Sequence, residues 1–352
     1  MAILDYKDIG ISAVAACVPK RIEKNENLIG FLSAEELQKT IEFVGIKEKR
    51  YVDTGVCASD LCCNAAQKLF EDNSVGLSEI DALIFLSQTP DFRQPATAPN
   101  LAHRLGLTTG VISFDVNLAC SGYVYGLATA FAFASNPNVR KVLLLAGETM
   151  SKTISQKDRA MVPLFGDAGT ATLIEKGDFG NSAFSLNSDG SKVDVLKIPY
   201  GGYRNPSCVE GLTDIADEEG NLRNGEHLRM DGMEVFNFGI RAVPSDIRKM
   251  LKHVGKNIDE IDLLVYHQAN KFMTDFFSKH LKISPEKTPY SLDRFGNTSS
   301  ASVPLTIVSE LYDSKKYPQR ESVLFSGFGS GLSWGTAWLN LSKTNVSELV
   351  EY

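Results

Sequence analysis

Cys120 is the first residue of this chain whose type and surroundings suggest chemistry. It stands in Ala-Cys-Ser-Gly, after a β-branched run that ends at Val116 and before residues 123–134, an apolar stretch that predicts a buried helix. The N–H groups and dipole at a helix N-terminus lower the pKa of a cysteine and favour its nucleophilic thiolate. The sequence therefore predicts a reactive thiol, and the alternative interpretation is a small buried apolar residue.

Two later motifs offer polar partners for this thiol. His267 lies in His-Gln-Ala-Asn at the end of an apolar run, where an α/β sheet usually presents functional groups. Asn297 lies in Gly-Asn-Thr-Ser-Ser-Ala-Ser, a glycine turn that leads into a helix beginning near Ser299. Each motif alone is typical of ordinary structure, whereas the ordered set of Cys, His and Asn is far more specific.

The set resembles the Cys-His-Asn residues of the condensing enzymes of the thiolase superfamily, specifically the β-ketoacyl-acyl-carrier-protein synthase III family. Three further segments, 164–171, 229–236 and 327–335, are similar to segments of that family in the same order. The resemblance therefore covers nearly the whole chain.

The strand and helix pattern agrees with a duplicated α/β fold. Residues 66–85 and 247–266 share a pattern of helix end, Glu-Ile-Asp turn and apolar strand, and 169–173 resemble 335–339. The resemblance implies a thiolase-like, five-layered α/β/α/β/α fold, built from two duplicated halves with mixed five-stranded sheets. We expect a half that carries the cysteine at 1–180 and a half that carries the histidine and asparagine at 181–352.

The chemistry implied by the family is a ping-pong, decarboxylative Claisen condensation. An acyl group moves from a thioester to Cys120, and the backbone N–H groups of Cys120 and Ser330 form the oxyanion hole. A malonyl group on acyl carrier protein (ACP) then loses CO₂, and His267 and Asn297 donate hydrogen bonds to the enolate oxygen. The expected product is a β-ketoacyl thioester for fatty-acid or related biosynthesis.

The resemblance also predicts the substrate-binding residues and the substrates, which are acyl-CoA or acyl-ACP and malonyl-ACP. The predicted binding residues are Arg159, Met230, Gly232, Phe236, Ala269, Asn270, Met273, Phe328 and Gln94. Gln94 stands where the family carries an aromatic residue that closes the acyl pocket across a homodimer. Lys39 and Phe43 replace the family's adenine-stacking Trp and phosphate-binding Arg, and Phe272 replaces an Arg expected to meet the carrier protein.

Composition limits the possible partners and compartment. The chain has 352 residues, 43% of them hydrophobic, and its formal net charge of −7 argues against a nucleic-acid surface. There is no apolar run long enough to span a membrane, and Asp5 and Asp8 stand where a signal peptide would be basic. We expect a cytoplasmic homodimer without membrane insertion, metal or cofactor.

Several other functions share some of these features. A Cys-His-Asn set also fits papain-like hydrolysis, but the protease flank Cys-Gly-Ser-Cys-Trp is absent; glutamine amidotransferases are less favoured on the same ground. A scaffolding homologue without activity would not need all three polar residues. The main alternative is an acyltransferase that uses His267 as a general base toward a hydroxyl or amine acceptor in secondary or glycan metabolism.

Overall fold

A computed structural model describes residues 2–29, 31–313 and 315–352 of the chain. Its strands are β1 (Ile3–Val18), β2 (Ile22–Lys24), β3 (Glu48–Arg50), β4 (Ile80–Leu86), β5 (Ile112–Val116), β6 (Lys141–Thr149), β7 (Asp167–Ser188), β8 (Leu196–Lys197), β9 (Ile215–Ala216), β10 (Leu222–Arg223), β11 (Arg229–Met230), β12 (Leu263–Tyr266), β13 (Val323–Gly329), β14 (Ser333–Leu339), β15 (Asn345–Val346) and β16 (Val350–Glu351). Its α-helices are α1 (Ala34–Val44), α2 (Ala58–Asn73), α3 (Ala98–Arg104), α4 (Gly122–Ala134), α5 (Val209–Leu212), α6 (Gly232–His253), α7 (Lys271–Leu281), α8 (Leu292–Phe295) and α9 (Ser302–Leu311).

Two long strands, β1 and β7, run through both sheets of the molecule. The first part of β7 pairs with β6 and with residues 9–17 of β1, whereas its second part pairs with β14 and with residues 3–7 of β1. Asp8 has a φ of 57° at the bend of β1, and Gly180 has a φ of 74° at the bend of β7. The predicted boundary between residues 180 and 181 falls at this bend and stays a prediction.

The two sheets repeat one pattern of strand pairing. In the first sheet, β4 is parallel to β6, and β6, β7 and β1 follow in antiparallel order. In the second, β12 is parallel to β13, and β13, β14 and β7 follow in antiparallel order. The sequence echoes fall on equivalent elements, α2–β4 with α6–β12 and β7 with β14, so the prediction of two related mixed sheets is confirmed.

Helices complete the predicted five layers. Helices α4 and α9 pack between the sheets, α2 covers the outer face of the first sheet, and α6 covers the outer face of the second with α7 beside it. The core of the central layer combines apolar residues of α4 and α9 with inward-facing residues of both sheets. Two further buried clusters lie under α2 and α3 and under α6 and α7.

The composition of α4 explains its central place. Its sequence, GYVYGLATAFAFA, is apolar on nearly every side, as expected for a helix packed against two sheets. A Cβ added at Gly122 would lie 2.7 Å from a methyl carbon of Leu86, so only glycine allows this approach of the helix to β4. The first turn of α4, next to Cys120, is thereby fixed against the sheet. Within the described residues, no helix combines the length and apolar character needed to cross a membrane.

Candidate active site

Cys120, His267 and Asn297 line one narrow cavity of about 70 Å³. Cys120 comes from the turn between β5 and α4, His267 directly follows β12, and Asn297 lies between α8 and α9. The Cys120 Sγ atom is 3.5 Å from the Ser299 hydroxyl, two residues beyond Asn297. The structure therefore brings together three motifs that are far apart in the sequence: Cys120 and Asn297 just before the central helices α4 and α9, and His267 at the end of β12.

The turn that carries Cys120 is packed tightly against the end of β13. A Cβ at Gly329 would lie 2.6 Å from the Cys120 Cβ, so a side chain there would displace the thiol. The Ser333 hydroxyl donates to the Ser330 carbonyl at 2.7 Å and lies 2.6 Å from the Ser121 hydroxyl. Because Ser333 uses its proton on that carbonyl, Ser121 donates to Ser333. These two hydrogen bonds fix the turn that carries Cys120 relative to the turn that carries Ser330. Cys120 and Ser330 are the two residues predicted to form the oxyanion hole.

The expectation of a lowered thiol pKa at Cys120 is wrong. Burial raises its pKa to about 12, the Ser299 hydroxyl lowers it only in part, and the Glu148 carboxylate raises it further. Cys120 precedes the first residue of α4 by two positions and is 8% exposed. Desolvation therefore outweighs the helix dipole, and the resting residue is a neutral thiol.

His267 is also neutral at rest. Burial lowers its pKa to about 3, and a hydrogen bond with the Ser299 backbone opposes this only in part. Its Nδ1 atom lies 2.7 Å from the Ser302 hydroxyl, and the Phe328 ring packs edge-on at 5.3 Å between centroids. When Ser302 donates to Nδ1, the imidazole proton resides on Nε2, which can then act as a hydrogen-bond donor.

Asn297 is held by hydrogen bonds at both its backbone and its side chain. Its backbone N–H donates to the Leu164 carbonyl at 2.8 Å, and its carbonyl accepts from the Gly166 N–H at 3.1 Å. The side-chain Oδ1 accepts from the Ser299 N–H at 2.9 Å, which leaves Nδ2 as the donor to the cavity. Ser299 adopts a φ of 51°, an uncommon conformation for a residue other than glycine.

Glu148 is a buried residue near the site that the sequence analysis missed. The end of β6 places it fully out of solvent, where it accepts hydrogen bonds from the Gln88 backbone N–H and from the hydroxyls of Ser87, Thr89 and Ser300. Burial raises its pKa to about 7, and these hydrogen bonds oppose the change. A carboxylate at the end of an otherwise apolar strand was the only sequence signal for it.

The predicted substrate-binding residues divide into two groups. Those that line the cavity are Met230, Ala269, Asn270, Met273 and Phe328, and Ser330 of the predicted oxyanion hole lines it as well. The others lie outside its lining: Gly232 begins α6, Phe236 packs beside Phe272, and Gln94 is in an exposed loop between β4 and α3. The sequence analysis did not single out Gln88, Met150, Leu196 and Leu228, which also line the cavity.

Two of the predicted nucleotide-binding positions, Arg159 and Phe43, already contact neighbouring residues of the chain. The Arg159 guanidinium donates to the Phe31 carbonyl at 3.1 Å and lies 3.5 Å from a Glu36 oxygen. The Phe43 ring, half-exposed, stacks on Phe272 with 4.8 Å between centroids. Among the described residues, no group of three or more His, Cys, Asp or Glu is arranged to hold a metal ion.

Comparison with known proteins places this geometry in a family. A family model described as 3-oxoacyl-[acyl-carrier-protein (ACP)] synthase III matches residues 114–190, and the model of its C-terminal part matches 251–341. The chain is 34% identical to a β-ketoacyl-[acyl-carrier-protein] synthase III of Rhodopirellula baltica, over 95% of this chain and 98% of that protein. It is also 34% identical to the enzyme of that name from Desulfitobacterium hafniense, over 96% and 99%. The chain belongs to the 3-oxoacyl-ACP synthase III family.

Solved structures of the family share its fold over nearly the full chain. A 3-oxoacyl-(acyl-carrier protein) synthase from Burkholderia xenovorans superposes with a TM-score of 0.93 at 34% identity, over 100% of this chain and 99% of that one. A β-ketoacyl-ACP synthase III from Thermus thermophilus superposes with a TM-score of 0.82 at 32% identity, over 94% and 98%. The predicted thiolase-like fold and the prediction of an acyltransferase-type enzyme are both confirmed.

Proposed function

We propose that the chain condenses an acyl group held on Cys120 with a malonyl group carried by ACP. The observation that carries this proposal is the arrangement of Asn297, which lines the cavity together with Cys120 and His267 and whose Oδ1 accepts from the Ser299 N–H, so that Nδ2 is its remaining hydrogen-bonding group. An amide that donates without titrating suits an enolate oxygen. Transfer of the acyl group to a hydroxyl or amine acceptor would not need it.

In the first half-reaction, the Cys120 sulfur attacks the thioester carbonyl. The oxyanion is stabilised by the backbone N–H groups of Cys120 and Ser330. Both residues line the cavity. The C–S bond of the donor then breaks, and the thiol proton of Cys120 ends on the departing thiol.

In the second half-reaction, the malonyl thioester loses CO₂ and becomes an enolate. Neutral His267, through Nε2, and Asn297, through Nδ2, donate hydrogen bonds to the enolate oxygen. Burial of the imidazole supports this role, because it keeps His267 uncharged at physiological pH. The enolate carbon attacks the acyl carbon, the bond to Cys120 breaks, and the Cys120 thiolate regains a proton.

The apolar residues Met230, Ala269 and Met273 line the route from the cavity toward α6 and α7, which we assign to the pantetheine arm of the donor and acceptor. ACP and CoA thioesters are the partners that this assignment requires. A homodimer that acts in the cytoplasm, without cofactor or metal, stays a prediction. The names of the matched family favour condensation over transfer to other acceptors.

The test separates the two half-reactions. Cys120→Ala abolishes acylation, measured by intact-protein mass spectrometry with an acyl thioester. His267→Ala and Asn297→Ala still become acylated but release CO₂ from malonyl-ACP at least 10²–10³-fold more slowly, the usual effect of removing one such donor. The control is Cys208→Ala, which removes an exposed free cysteine and leaves both half-reactions unchanged. An adduct on another cysteine, or full decarboxylation by Asn297→Ala, contradicts the proposal.

A further inference from the structure

Ser299 contacts all three candidate catalytic residues. Its hydroxyl lies 3.5 Å from the Cys120 Sγ atom, and its backbone N–H donates to the Asn297 Oδ1 atom at 2.9 Å. Its backbone also forms the hydrogen bond that acts against burial in setting the pKa of His267. Ser299 itself is 1% exposed and lines the cavity. The backbone of this serine supports the asparagine, which leaves the purpose of its buried hydroxyl to be explained.

The backbone conformation of Ser299 is unusual for a residue that has a side chain. Its φ of 51° lies in the left-handed region, where residues other than glycine are uncommon and persist only when the surrounding structure holds them. Here the Ser300 hydroxyl donates to the buried Glu148 at 3.2 Å, and the Ala301 N–H donates to the Thr298 carbonyl at 3.1 Å. A glycine would adopt this backbone without the steric cost, so the presence of a side chain points to a use for the hydroxyl.

The hydrogen bond between Ser299 and Cys120 depends on the charge of the sulfur. A neutral thiol and a hydroxyl can each donate to the other. A thiolate has no proton, so the Ser299 hydroxyl must then donate, and a hydrogen bond to an ionised acceptor is roughly twice as strong as a neutral one. In the part of the chain that the structure describes, no other side chain forms a hydrogen bond with the Cys120 Sγ atom, and His267 Nδ1 pairs with Ser302 instead. Ser299 is therefore the side-chain donor available to the thiolate.

The remaining surroundings of the sulfur oppose its ionisation. Burial raises the pKa of Cys120, and the Glu148 carboxylate acts in the same direction, whereas the Ser299 hydroxyl lowers it. Burial also keeps His267 neutral, so the imidazole brings no positive charge to the thiolate. Only interactions that are stronger in the transition state than in the ground state accelerate a reaction. A hydrogen bond that strengthens as the sulfur gains negative charge meets this condition.

We propose that Ser299 is a fourth catalytic residue, whose hydroxyl stabilises the Cys120 thiolate by donating a hydrogen bond to it. The inference rests on the proposed function, since it assigns a role in the same two half-reactions. In the first, the S–H bond of Cys120 breaks, the sulfur bonds to the acyl carbon, and the proton ends on the thiol that leaves. In the second, the enolate carbon displaces the sulfur, which leaves with the bonding electron pair and takes a proton from water. Ser299 keeps its own proton in both.

The experiment compares the wild type with Ser299→Gly, which removes the hydroxyl, accepts the positive φ and keeps the N–H that Asn297 uses. Alkylation of Cys120 by iodoacetamide at fixed pH, followed by peptide mass spectrometry, measures the thiolate without any thioester. It becomes about three- to tenfold slower in the variant, because a less stabilised thiolate is scarcer but also more nucleophilic. Loading kcat/KM with acetyl-ACP or butanoyl-ACP falls at least about tenfold, equivalent to ~1.4 kcal/mol. Release of CO₂ from malonyl-ACP falls by a smaller factor.

Two further variants complete the design. Ser135→Ala is the matched control: this exposed serine follows the last residue of α4, at the end of the helix opposite Cys120, and its hydroxyl donates to the Ala132 carbonyl at 2.7 Å. It matches the wild type in all three measurements. Ser299→Ala removes the same hydroxyl but keeps the Cβ atom, so poor folding of Ser299→Gly, checked by circular dichroism, does not remove the test.

The outcomes distinguish this inference from the proposed function. Unchanged alkylation of Cys120 in the Ser299 variants overturns the inference, whatever happens to loading, because the hydroxyl then does not stabilise the thiolate. Equal losses in loading and in CO₂ release also overturn it, since the substitution then acts through the turn as a whole. A wild-type protein that forms no acyl adduct on Cys120 refutes the proposed function itself. The alkylation comparison uses no substrate, so it still decides the role of Ser299 in that case.

Discussion

Glu148 accepts a hydrogen bond from the Ser300 hydroxyl at 3.2 Å, although 152 residues separate the two. Glu148 ends a strand of the first sheet, and Ser300 belongs to the turn between Asn297 and α9. The same carboxylate accepts the Gln88 N–H, so it connects the Asn297 turn with Gln88 in the wall of the catalytic cavity. A single buried carboxylate thus joins the two halves of the molecule.

This arrangement predicts how stability depends on pH. The pKa of Glu148 is raised from 4.5 to about 7 by burial, so the folded state holds this proton more tightly than the unfolded state. The resulting stabilisation is full below the unfolded pKa and is lost as pH rises through about 7. Between pH 5 and 7.5 the free energy of unfolding should therefore fall further in the wild type than in Glu148→Gln. The difference between the two decreases should be on the order of 1–3 kcal/mol.

Urea denaturation across that pH range measures this difference. Glu71→Gln, on the exposed face of α2, serves as the control and should follow the wild-type pH profile. Parallel pH profiles for wild type and Glu148→Gln would show that Glu148 stays ionised throughout.

A second prediction concerns the protonation of His267. Because burial lowers its pKa to about 3, the imidazole should stay neutral from pH 8 down to about pH 5, and decarboxylation should show no acidic limb from its protonation in that range. ¹⁵N-histidine NMR gives both the charge and the tautomer, with the proton expected on Nε2; His267→Gln assigns the signal.

The Ser302 hydroxyl provides a test of the same feature. Ser302→Ala removes the partner of His267 Nδ1 and should slow decarboxylation by roughly tenfold, the effect of one hydrogen bond. Acylation of Cys120 should change little. An equal loss in both half-reactions would point to general damage to the site.

A third prediction concerns the carrier of the acyl donor. Arg159 is engaged by Phe31 and Glu36, and Phe43 is stacked on Phe272, so few groups remain to bind the adenine and 3′-phosphate of CoA. A cation–π contact contributes roughly 0.5–2 kcal/mol and a charged hydrogen bond roughly 1.5–3 kcal/mol. Cys120 should therefore load from acyl-ACP at least about tenfold more efficiently than from the matched acyl-CoA.

Loading kcat/KM for one acyl group on both carriers checks this preference. Phe43→Arg should reduce KM for acyl-CoA, whereas Phe43→Leu should not. Equal efficiency with the two carriers in the wild-type protein would mean that nucleotide recognition is intact.

A fourth prediction concerns assembly. If the protein is a homodimer, Gln94 approaches the acyl pocket of the partner, and Gln94→Phe should shorten the longest acyl chain accepted without changing the rate for acetyl. Light scattering gives the mass in solution, and a chain-length series gives the limit. A fully active monomer, or an unchanged limit in Gln94→Phe, contradicts this arrangement; Gln94→Asn is the control.

The residue motifs were sufficient to predict the fold family and the meeting of Cys120, His267 and Asn297, because strand ends and helix starts are local features with clear patterns. The pKa direction of Cys120 was not predictable, since the local sequence shows a helix N-terminus but not the depth of burial. Glu148 and Gln88 were missed for a related reason. Their importance depends on contacts between segments that no local pattern records.

Each end of the chain pairs with the sheet of the other half, and this limits how the protein can be divided into fragments. Residues 3–7 of β1 pair with β7 in the second sheet, whereas β15 and β16 pair with residues 13–18 of β1 in the first. A fragment that ends near residue 180 would keep an N-terminal segment without its partner strand and expose the strand edge that β15 and β16 cover. Such edges promote aggregation. The duplicated architecture is therefore interlocked at both termini, and neither half can be expressed alone with its sheet complete.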